Sequence, residues 1–544
     1  MKDKTMKKNS FVSGVFITTF GIFLTKILGI VYVIPFHALI GELGGALYGY
    51  AYTVYSLFIS LATAGIPLSI SKVVSEYQTL GYYDAKKRVF ILGKRIAVIL
   101  GLICFLILII FAPVLARLIL GDLVGGNSLK DVTFVIRVIS TAILIVPVLS
   151  VYRGYFEGHR FMSPPSISQV LEQIVRVTII ILGSFLVIKV FHLSITSAVG
   201  LAIFGATAGA LVSYIYLIDK KIKNKDKFEL EVREVKEPVI TNKMILKKIM
   251  FYSIPFIMID IFKSLYNYVD MVTVVKGLVK IANFSVADAE TIMSMLSTWC
   301  SKFNMIILAI SSGVIVSLIP HLTQSLVKKN NRDIDKKVNQ SYSIFMFFMI
   351  PMTAGISFLA SPIWNVFYGA SKYGPSVLSY FIFVASVMGL FSISVSILQV
   401  LKDYKVVFLS LFSGVIVKAL VNKLFISVFF KLGLPAYYGV ITATIIGYFL
   451  SVIICMIVLH YKYKINFEDS LKHFIDILCG TLLMIIILCI LRLIVPVSVD
   501  NRILNALIIA IYGLVGALVY FVYCVKTKLF TSIFGSNIKK ISRK

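Results

Sequence analysis

Two lysines lie deep inside long apolar stretches. Lys26 is near the centre of TFGIFLTKILGIVYVIPF (residues 19–36), and Lys302 is about halfway through a second apolar segment. Neither has an acidic residue within four positions on either side. A charge at mid-bilayer depth costs about 2.5–3.5 kcal/mol on insertion scales, so each ammonium should face a partner or a wet cavity. Lysine is a mobile cation with three donors, which suits transient binding of phosphate. The two lysines therefore predict a binding site for an anionic transported substrate.

A polar stripe marks a third apolar segment. Asp260, Lys263, Asn267 and Asp270 are offset by three, seven and ten positions, so they share one helical face. Asp260 and Lys263 either form a simple intrahelical pair or serve function, and Lys263 joins Lys26 and Lys302 as a candidate phosphate ligand. In another segment, Glu172 and Arg176 have i, i+4 spacing. We expect that pair to be structural because the two charges can neutralise each other.

The composition requires these residues to be positioned by membrane helices. The chain has 544 residues, of which 59% are hydrophobic and 15% are charged, and its mean hydropathy is +0.94. A soluble protein of this length usually approaches 25% charged residues. The recurring apolar runs are long enough for helices and lack the alternation of barrel strands. The six cysteines form no CxxC pair or metal-ligand cluster, and neither a bound metal nor an organic cofactor is predicted.

The apolar runs predict an all-α polytopic membrane protein with fourteen transmembrane helices. With the N-terminus inside, Lys and Arg concentrate in the cytoplasmic loops, which accounts for the net charge of +29 without nucleic acid. Both termini are then cytoplasmic. The predicted spans are 11–37, 46–70, 91–114, 132–152, 167–188, 195–218, 248–275, 291–319, 341–360, 377–400, 406–429, 436–459, 473–495 and 503–525.

The spans group into two lobes. Residues 1–218 form an N-terminal lobe of helices 1–6, 219–247 a charged cytoplasmic linker, 248–460 a C-terminal lobe of helices 7–12, and 461–544 helices 13–14 with a cytoplasmic tail. The halves resemble each other weakly, and FLTKILGIVYVIPF (23–36) can be aligned with DIFKSLYNYVDMVT (260–273) so that Lys26 falls on Lys263. Two six-helix lobes around a central cavity, plus two C-terminal helices, are the architecture of an alternating-access transporter.

The region TKILGIVYVIPF…GELGGALYGYAYTVYSLFISLATAGIPLSISKVVSEY (25–77), followed by GYYDAKKRVF (81–90), resembles a known family. The chain is similar to the MurJ-like polysaccharide-biosynthesis branch of the multidrug/oligosaccharidyl-lipid/polysaccharide (MOP) exporter superfamily. The match is strongest to the YtgP and stage V sporulation protein B group of Gram-positive bacteria. The resemblance implies a lipid II flippase of peptidoglycan biosynthesis in the bacterial plasma membrane. Its substrate is a lipid-linked saccharide, and other cell-wall synthesis proteins are candidate partners.

The resemblance also implies roles for particular residues. The family carries basic residues in helices 1, 2 and 8, and Lys26 and Lys302 match the first and the last. Helix 2 is uncharged from Ala46 to Ser71, so that match fails and Lys263 is the candidate substitute. Helices 13 and 14 match the family's groove for the lipid tail.

The resemblance also implies a site for a coupling ion. Some relatives hold Na⁺ among helices 7, 11 and 12, which makes Asp260, Asp270 and Asn422, with Thr442 or Thr444, candidate ligands. Na⁺ and H⁺ are both candidate coupling ions, and the membrane potential is a further candidate driving force.

Three alternatives remain open from the sequence. One is an exporter of another undecaprenyl-pyrophosphate-linked saccharide, and another is a multidrug or cation antiporter of the same superfamily. A membrane-embedded glycosyltransferase is disfavoured because the acids of the outside loops form no paired-carboxylate motif. Those acids are Asp122, Asp131, Asp288 and Glu290.

Overall fold

The computed structural model describes residues 11–63, 65–121, 125–229, 239–497 and 501–534. Every regular element in these ranges is a helix. The chain divides into two compact units. Unit 1 comprises Met1–Lys276 and Ser285–Ser297, and unit 2 comprises Gly277–Phe284 and Thr298–Lys544. The chain passes from unit 1 to unit 2 inside a long helix, whereas the sequence places the lobe boundary at 219–247, and that boundary stays a prediction.

Unit 1 is built around a central helix, α5, which packs against α2, α3, α4 and α7, while α1 packs along α6. Its helices are α1 (Phe11–Val31), α2 (Val33–Thr63), α3 (Ile66–Leu80), α4 (Tyr83–Leu120), α5 (Leu129–Gly158), α6 (Ser163–Thr178), α7 (Ile195–Lys223), α8 (Lys225–Glu229), α9 (Asn242–Ala282, whose last residues belong to unit 2) and α10 (Val286–Ser294). Single π-helical turns follow α6 at Ile179–Gly183 and Leu186–Val190, and another follows α10 at Met295–Trp299.

Unit 2 contains the remaining helices. They are α11 (Cys300–Val327), α12 (Asn331–Phe358), α13 (Ala360–Tyr368), α14 (Gly374–Val400), α15 (Tyr404–Lys431), α16 (Ala436–Tyr461), α17 (Glu468–Leu491), α18 (Arg502–Lys526) and α19 (Leu529–Phe534). The pair α15 and α16 packs together, and α14 contacts both α11 and α16. The two C-terminal helices α17 and α18 pack on α12 and α13 respectively.

Twelve helices of the described chain are long and apolar enough to cross a membrane. The predicted total of fourteen is therefore not confirmed. The two predicted spans outside this set, 11–37 and 248–275, fall on α1 and α9. They are also the spans that contain Lys26 and the polar stripe of α9.

The break between α2 and α3 explains the motif TAGIPLSIS. Gly65 has φ of +71°, and a Cβ there would come within 2.8 Å of the Ser253 carbonyl oxygen and of the Phe256 Cβ. Only glycine fits both the left-handed backbone and the close approach of α9. Pro67 lies in the first turn of α3, and the Ser69 hydroxyl donates to the Gly65 carbonyl at 2.7 Å. The predicted helix 46–70 is thus two helices with a glycine turn between them.

The beginning of the predicted linker is docked on unit 1 rather than solvated. The Phe228 ring lies in a cluster formed by Tyr155, Phe156, His159 and Phe161, with ring centroids 4.9–5.4 Å away. Residues 230–238 of this linker lie outside the described residues, and the chain is anchored again just after them. There the Arg88 guanidinium donates to the Ile240 carbonyl at 2.8 Å.

A buried lysine fixes the backbone of this docked segment. Lys86 is only 4% exposed, and its ammonium donates to the Phe228 carbonyl at 3.1 Å and to the Gln78 amide oxygen at 2.7 Å. Lys86 and Arg88 both belong to the motif GYYDAKKRVF. This motif therefore serves to hold the linker against unit 1.

Substituting Phe228→Ala is expected to release the start of the linker. Removing a buried phenyl ring costs about 3–5 kcal/mol, and α8 has only five residues with which to compensate. Trypsin should then cleave the purified protein after Lys227 several-fold faster than wild type. The matched control is Phe251→Ala, because that ring is 72% exposed. Equal cleavage rates for Phe228→Ala and wild type would contradict the docking.

Candidate functional site

Lys26 is a half-buried cation on α1. Within the described residues it has no salt bridge or hydrogen-bonding side-chain partner. The helix lies along α6, where a Cβ on Gly21 would come within 3.2 Å of the Ser166 Cβ and one on Gly29 within 3.6 Å of the Gln173 amide nitrogen. Gly29 is one turn after Lys26, so the lysine lies on α1 close to the polar face of α6.

The polar stripe of α9 has the predicted helical geometry. Asp260, Lys263 and Asp270 are half-buried, and Asn267 is exposed. Lys263 and Asp260 interact electrostatically, although no direct salt bridge joins them in the described structure. Lys263 is therefore less available to an external anion than Lys26 is.

Lys302 is half-buried on α11, three residues after the π-helical turn. Two hydroxyls close to Lys302 in sequence donate hydrogen bonds to backbone carbonyls one turn earlier. Ser301 donates to the Thr298 carbonyl at 2.7 Å, and Ser297 donates to the Met293 carbonyl at 2.8 Å.

Asn422 is fully buried on α15 in unit 2. Lys418, one turn earlier on the same helix, is fully buried as well. An ammonium so near opposes the binding of a second cation beside Asn422. The candidate cation ligands also belong to different units, since Asp260 and Asp270 lie in unit 1. No group of three or more His, Cys, Asp or Glu side chains with metal-binding geometry occurs in the described part of the chain.

The predicted Glu172–Arg176 pair is present, with a third member that the sequence did not reveal. The Arg176 guanidinium lies 2.6 Å from Glu172 Oε1, and Arg153 of α5 lies 2.8 Å from Glu172 Oε2. Arg153 also donates to the Ser168 hydroxyl at 2.9 Å. The predicted span 132–152 ends just before Arg153, whereas α5 continues to Gly158 and includes it. Its proximity to α6 carries no local sequence signal.

Glu290 is the second residue whose role was missed. We predict it in an outside loop, but it lies in α10 and is fully buried. Its carboxylate accepts hydrogen bonds from the Asn127 backbone N–H at 2.7 Å, the Asn127 side-chain amide at 2.9 Å and the Tyr50 hydroxyl at 3.3 Å. A buried carboxylate with three donors joins α10, α2 and the loop before α5. The only local sequence signal for the burial of Glu290 is the apolar residues that flank it in ADAETIMSM (287–295).

The carboxylate of Glu42 forms a second link between α2 and α10, close to the one made by Glu290. Glu42 Oε2 accepts from the Ser294 hydroxyl at 3.0 Å, and Glu42 Oε1 lies 3.6 Å from His37 Nε2. These contacts connect α2 with the end of α10.

The other acids assigned to outside loops are helix caps. Asp131 forms a capping box with Ser128 at the start of α5, and Asp288 accepts from the Ser285 hydroxyl at the start of α10. Asp122 lies outside the described residues. Among the acids that the structure describes here, none forms the paired-carboxylate arrangement of a glycosyltransferase.

Comparison with known proteins agrees with this architecture. Residues 11–318 match the family described as polysaccharide biosynthesis protein. Over 532 residues the chain is 31% identical to the lipid II flippase MurJ of Bacillus subtilis (strain 168), with 95% of each chain covered. It is 26% identical over 376 residues to stage V sporulation protein B of the same organism, with 67% of this chain and 68% of the relative covered.

Solved structures show the same fold. A lipid II flippase MurJ in an inward closed conformation has a TM-score of 0.65 at 18% identity, covering 95% of this chain and 99% of that chain. An inward-facing multidrug resistance transporter of the MATE family, from the MOP superfamily, has a TM-score of 0.62 at 13% identity. That comparison covers 81% of this chain and 94% of the transporter. This chain therefore belongs to the polysaccharide biosynthesis protein family, as a MurJ-like member.

Proposed function

We propose that this protein is a flippase that moves lipid II from the inner to the outer leaflet of the bacterial plasma membrane by alternating access. The observation that carries the proposal is the 31% identity to a lipid II flippase across 95% of both chains. The relatives are transporters rather than enzymes. The multidrug transporter shares the fold at 13% identity, which supports no transfer of its substrate to this chain.

Lys26, Lys263 and Lys302 are the proposed ligands of the pyrophosphate. Lys26 is the strongest of the three, because it is half-buried without a counter-ion among the described residues. Ammonium groups in partly wet surroundings bind phosphate tightly enough to recruit it and weakly enough to release it. Positively charged lysines attract a pyrophosphate anion, whereas they would repel the cationic drugs that a multidrug antiporter carries.

The proposed membrane arrangement has fourteen spans and both termini in the cytoplasm. Helices α1 and α9 then add to the twelve apolar spans, and their charges face water or substrate instead of lipid. The lipid tail would follow α17 and α18. These helices expose large apolar side chains, including Leu482 at 61%, Leu514 at 68% and Leu518 at 63%, which suits an acyl or polyprenyl chain.

For ion coupling, we propose Asp260 and Asp270 of α9 as the ligands of Na⁺ or H⁺. Asn422 is the weaker candidate because Lys418 already places a cation on its face of α15. The membrane potential supplies a second driving force, worth about 2.3 kcal/mol per charge per 100 mV. Flipping that stays constant when the potential is reversed would exclude this driving force.

The decisive experiment is depletion of the protein in cells that lack any other lipid II flippase. Lipid II exposed on the outer leaflet should fall sharply, while lipid II on the inner leaflet accumulates. The measurement is the fraction of labelled lipid II that an externally added modifying enzyme can reach. A normal outer-leaflet pool, with a different undecaprenyl-pyrophosphate saccharide retained inside, would assign the protein to that saccharide instead.

A further inference from the structure

Two guanidinium groups in unit 1 share a single carboxylate. Glu172 uses Oε1 for Arg176 at 2.6 Å and Oε2 for Arg153 at 2.8 Å. All three side chains are largely buried, with 22%, 16% and 14% exposed for Arg176, Arg153 and Glu172. Because one negative charge faces two positive charges, the triad carries a net positive charge.

The uncompensated charge falls mainly on Arg176. Arg153 has further partners, since it donates to the Ser168 hydroxyl and interacts electrostatically with Glu157. Arg176 Nε is buried and has no hydrogen-bond acceptor in the described structure. Arg176 therefore retains donor capacity that the fold does not use.

Tyrosines of α2 lie near Arg176. Arg176 lies close to Tyr52, Tyr55 and Tyr48 of that helix, and the π-helical turn continuing α6 packs against α2. Tyr52 and Tyr55 are half-buried, and 22% of the Arg176 side chain is exposed. Tyrosine hydroxyls donate hydrogen bonds to phosphate oxygens and add no charge of their own at neutral pH.

The α6 face that carries Arg176 also adjoins the helix of Lys26. Gln173, one turn before Arg176 on α6, faces Gly29 of α1. The polar faces of α1, α2 and α6 are thus neighbours within one unit. The sequence of α2 lacks the basic residue expected there, and Arg176 of α6 places a cation beside α2 instead.

We propose that Arg176, together with Tyr52 and Tyr55, binds a phosphate group of the lipid-linked substrate, and that Glu172 holds the guanidinium in place until the anion competes for it. The planar guanidinium can engage two phosphate oxygens at once, which an ammonium cannot do. Glu172 lowers the affinity of the empty site and so favours release. This inference rests on the proposed function, because it assumes a substrate that carries pyrophosphate.

The test compares two substitutions with opposite expected effects, using undecaprenyl pyrophosphate as the probe and the full-length protein in detergent. Arg176→Gln should weaken binding by about tenfold, since it removes one charge-assisted contact. Glu172→Gln should tighten binding, since it frees the guanidinium groups from their competitor. Arg176→Lys should lie between wild type and Arg176→Gln. Lys189→Gln is the matched control because Lys189 is an exposed cation after α6.

A purely structural triad gives a different pattern. Both Arg176→Gln and Glu172→Gln would then lower the thermal unfolding temperature and weaken binding together, which would overturn the inference even if one variant folds poorly. Arg176→Gln binding within twofold of wild type would overturn it as well. Wild-type protein that does not bind the probe would instead reject the pyrophosphate substrate, and with it the proposed function.

Discussion

Cells that depend on a Lys26→Ala variant should lose outward transport of lipid II while the protein remains folded and abundant. The ammonium makes no salt bridge with the described residues, so its removal breaks no stabilising contact. Replacing a poorly compensated charge inside a protein by an apolar group is often neutral or stabilising. The thermal unfolding temperature should therefore stay constant or rise.

The expected loss of transport follows from the lost contact with phosphate. A charge-assisted hydrogen bond contributes about 1.5–3 kcal/mol, so the affinity for the pyrophosphate should fall about 10- to 100-fold. The measurement is outer-leaflet lipid II in depleted cells that express each variant at equal level. Lys26→Arg should retain part of the activity, because it keeps the positive charge.

Two comparisons make the Lys26 result specific. Lys130→Ala removes an exposed cation at the start of α5 and should leave transport unchanged. Lys263→Ala should reduce transport less than Lys26→Ala, because Asp260 already offsets part of the Lys263 charge. Full rescue by Lys26→Ala would remove Lys26 from the substrate site.

Local sequence patterns predicted the features that depend on one helix. The Glu172–Arg176 pair follows from i, i+4 spacing, and the structure contains it at 2.6 Å. The stripe of Asp260, Lys263 and Asp270 follows from the helical period in the same way. The membrane class follows from hydropathy alone, since twelve described helices meet the length and composition of a span.

Contacts between distant segments were not predictable in this way. Arg153 meets Glu172 from another helix, and Glu290 meets Asn127 across 163 residues of sequence. No spacing rule applies to such pairs, because they depend on how helices pack. The role of the motif GYYDAKKRVF is unpredictable for the same reason. Its residue Lys86 donates a hydrogen bond to the Phe228 carbonyl, 142 residues later in the chain.

Glu290→Ala is expected to destabilise unit 1 strongly. It leaves the Asn127 backbone N–H and the Tyr50 hydroxyl buried without their acceptor, while the Asn127 side chain keeps its bond to the Leu43 carbonyl at 3.1 Å. An unsatisfied buried donor costs about 1–3 kcal/mol, so the total for the two donors should be about 2–6 kcal/mol. The unfolding temperature of unit 1 should fall by about 5–10 °C.

The two units can be followed separately. Both tryptophans, Trp299 and Trp364, are fully buried in unit 2, so their fluorescence reports that unit. Cys104 is the one cysteine of unit 1 and is buried, so its reaction with a thiol dye reports unit 1 once the other five cysteines are replaced by alanine. Glu290→Ala should lower the temperature at which Cys104 becomes reactive. Asp84→Ala, which removes an acid with a side chain 75% exposed, should not.

Gly126→Ala tests the same contact from the opposite side. A Cβ at Gly126 would overlap the Glu290 carboxylate, so the loop before α5 must move away from α10 and the hydrogen bonds to Asn127 must lengthen. This variant keeps the carboxylate, yet it should shift the Cys104 transition in the same direction as Glu290→Ala. Combining the two substitutions should cost less than the sum of their separate effects, because each removes the same contact. Strict additivity would show that the Glu290–Asn127 contact does not hold α10 in place, and stability would then have to come from the Glu42–Ser294 contact instead.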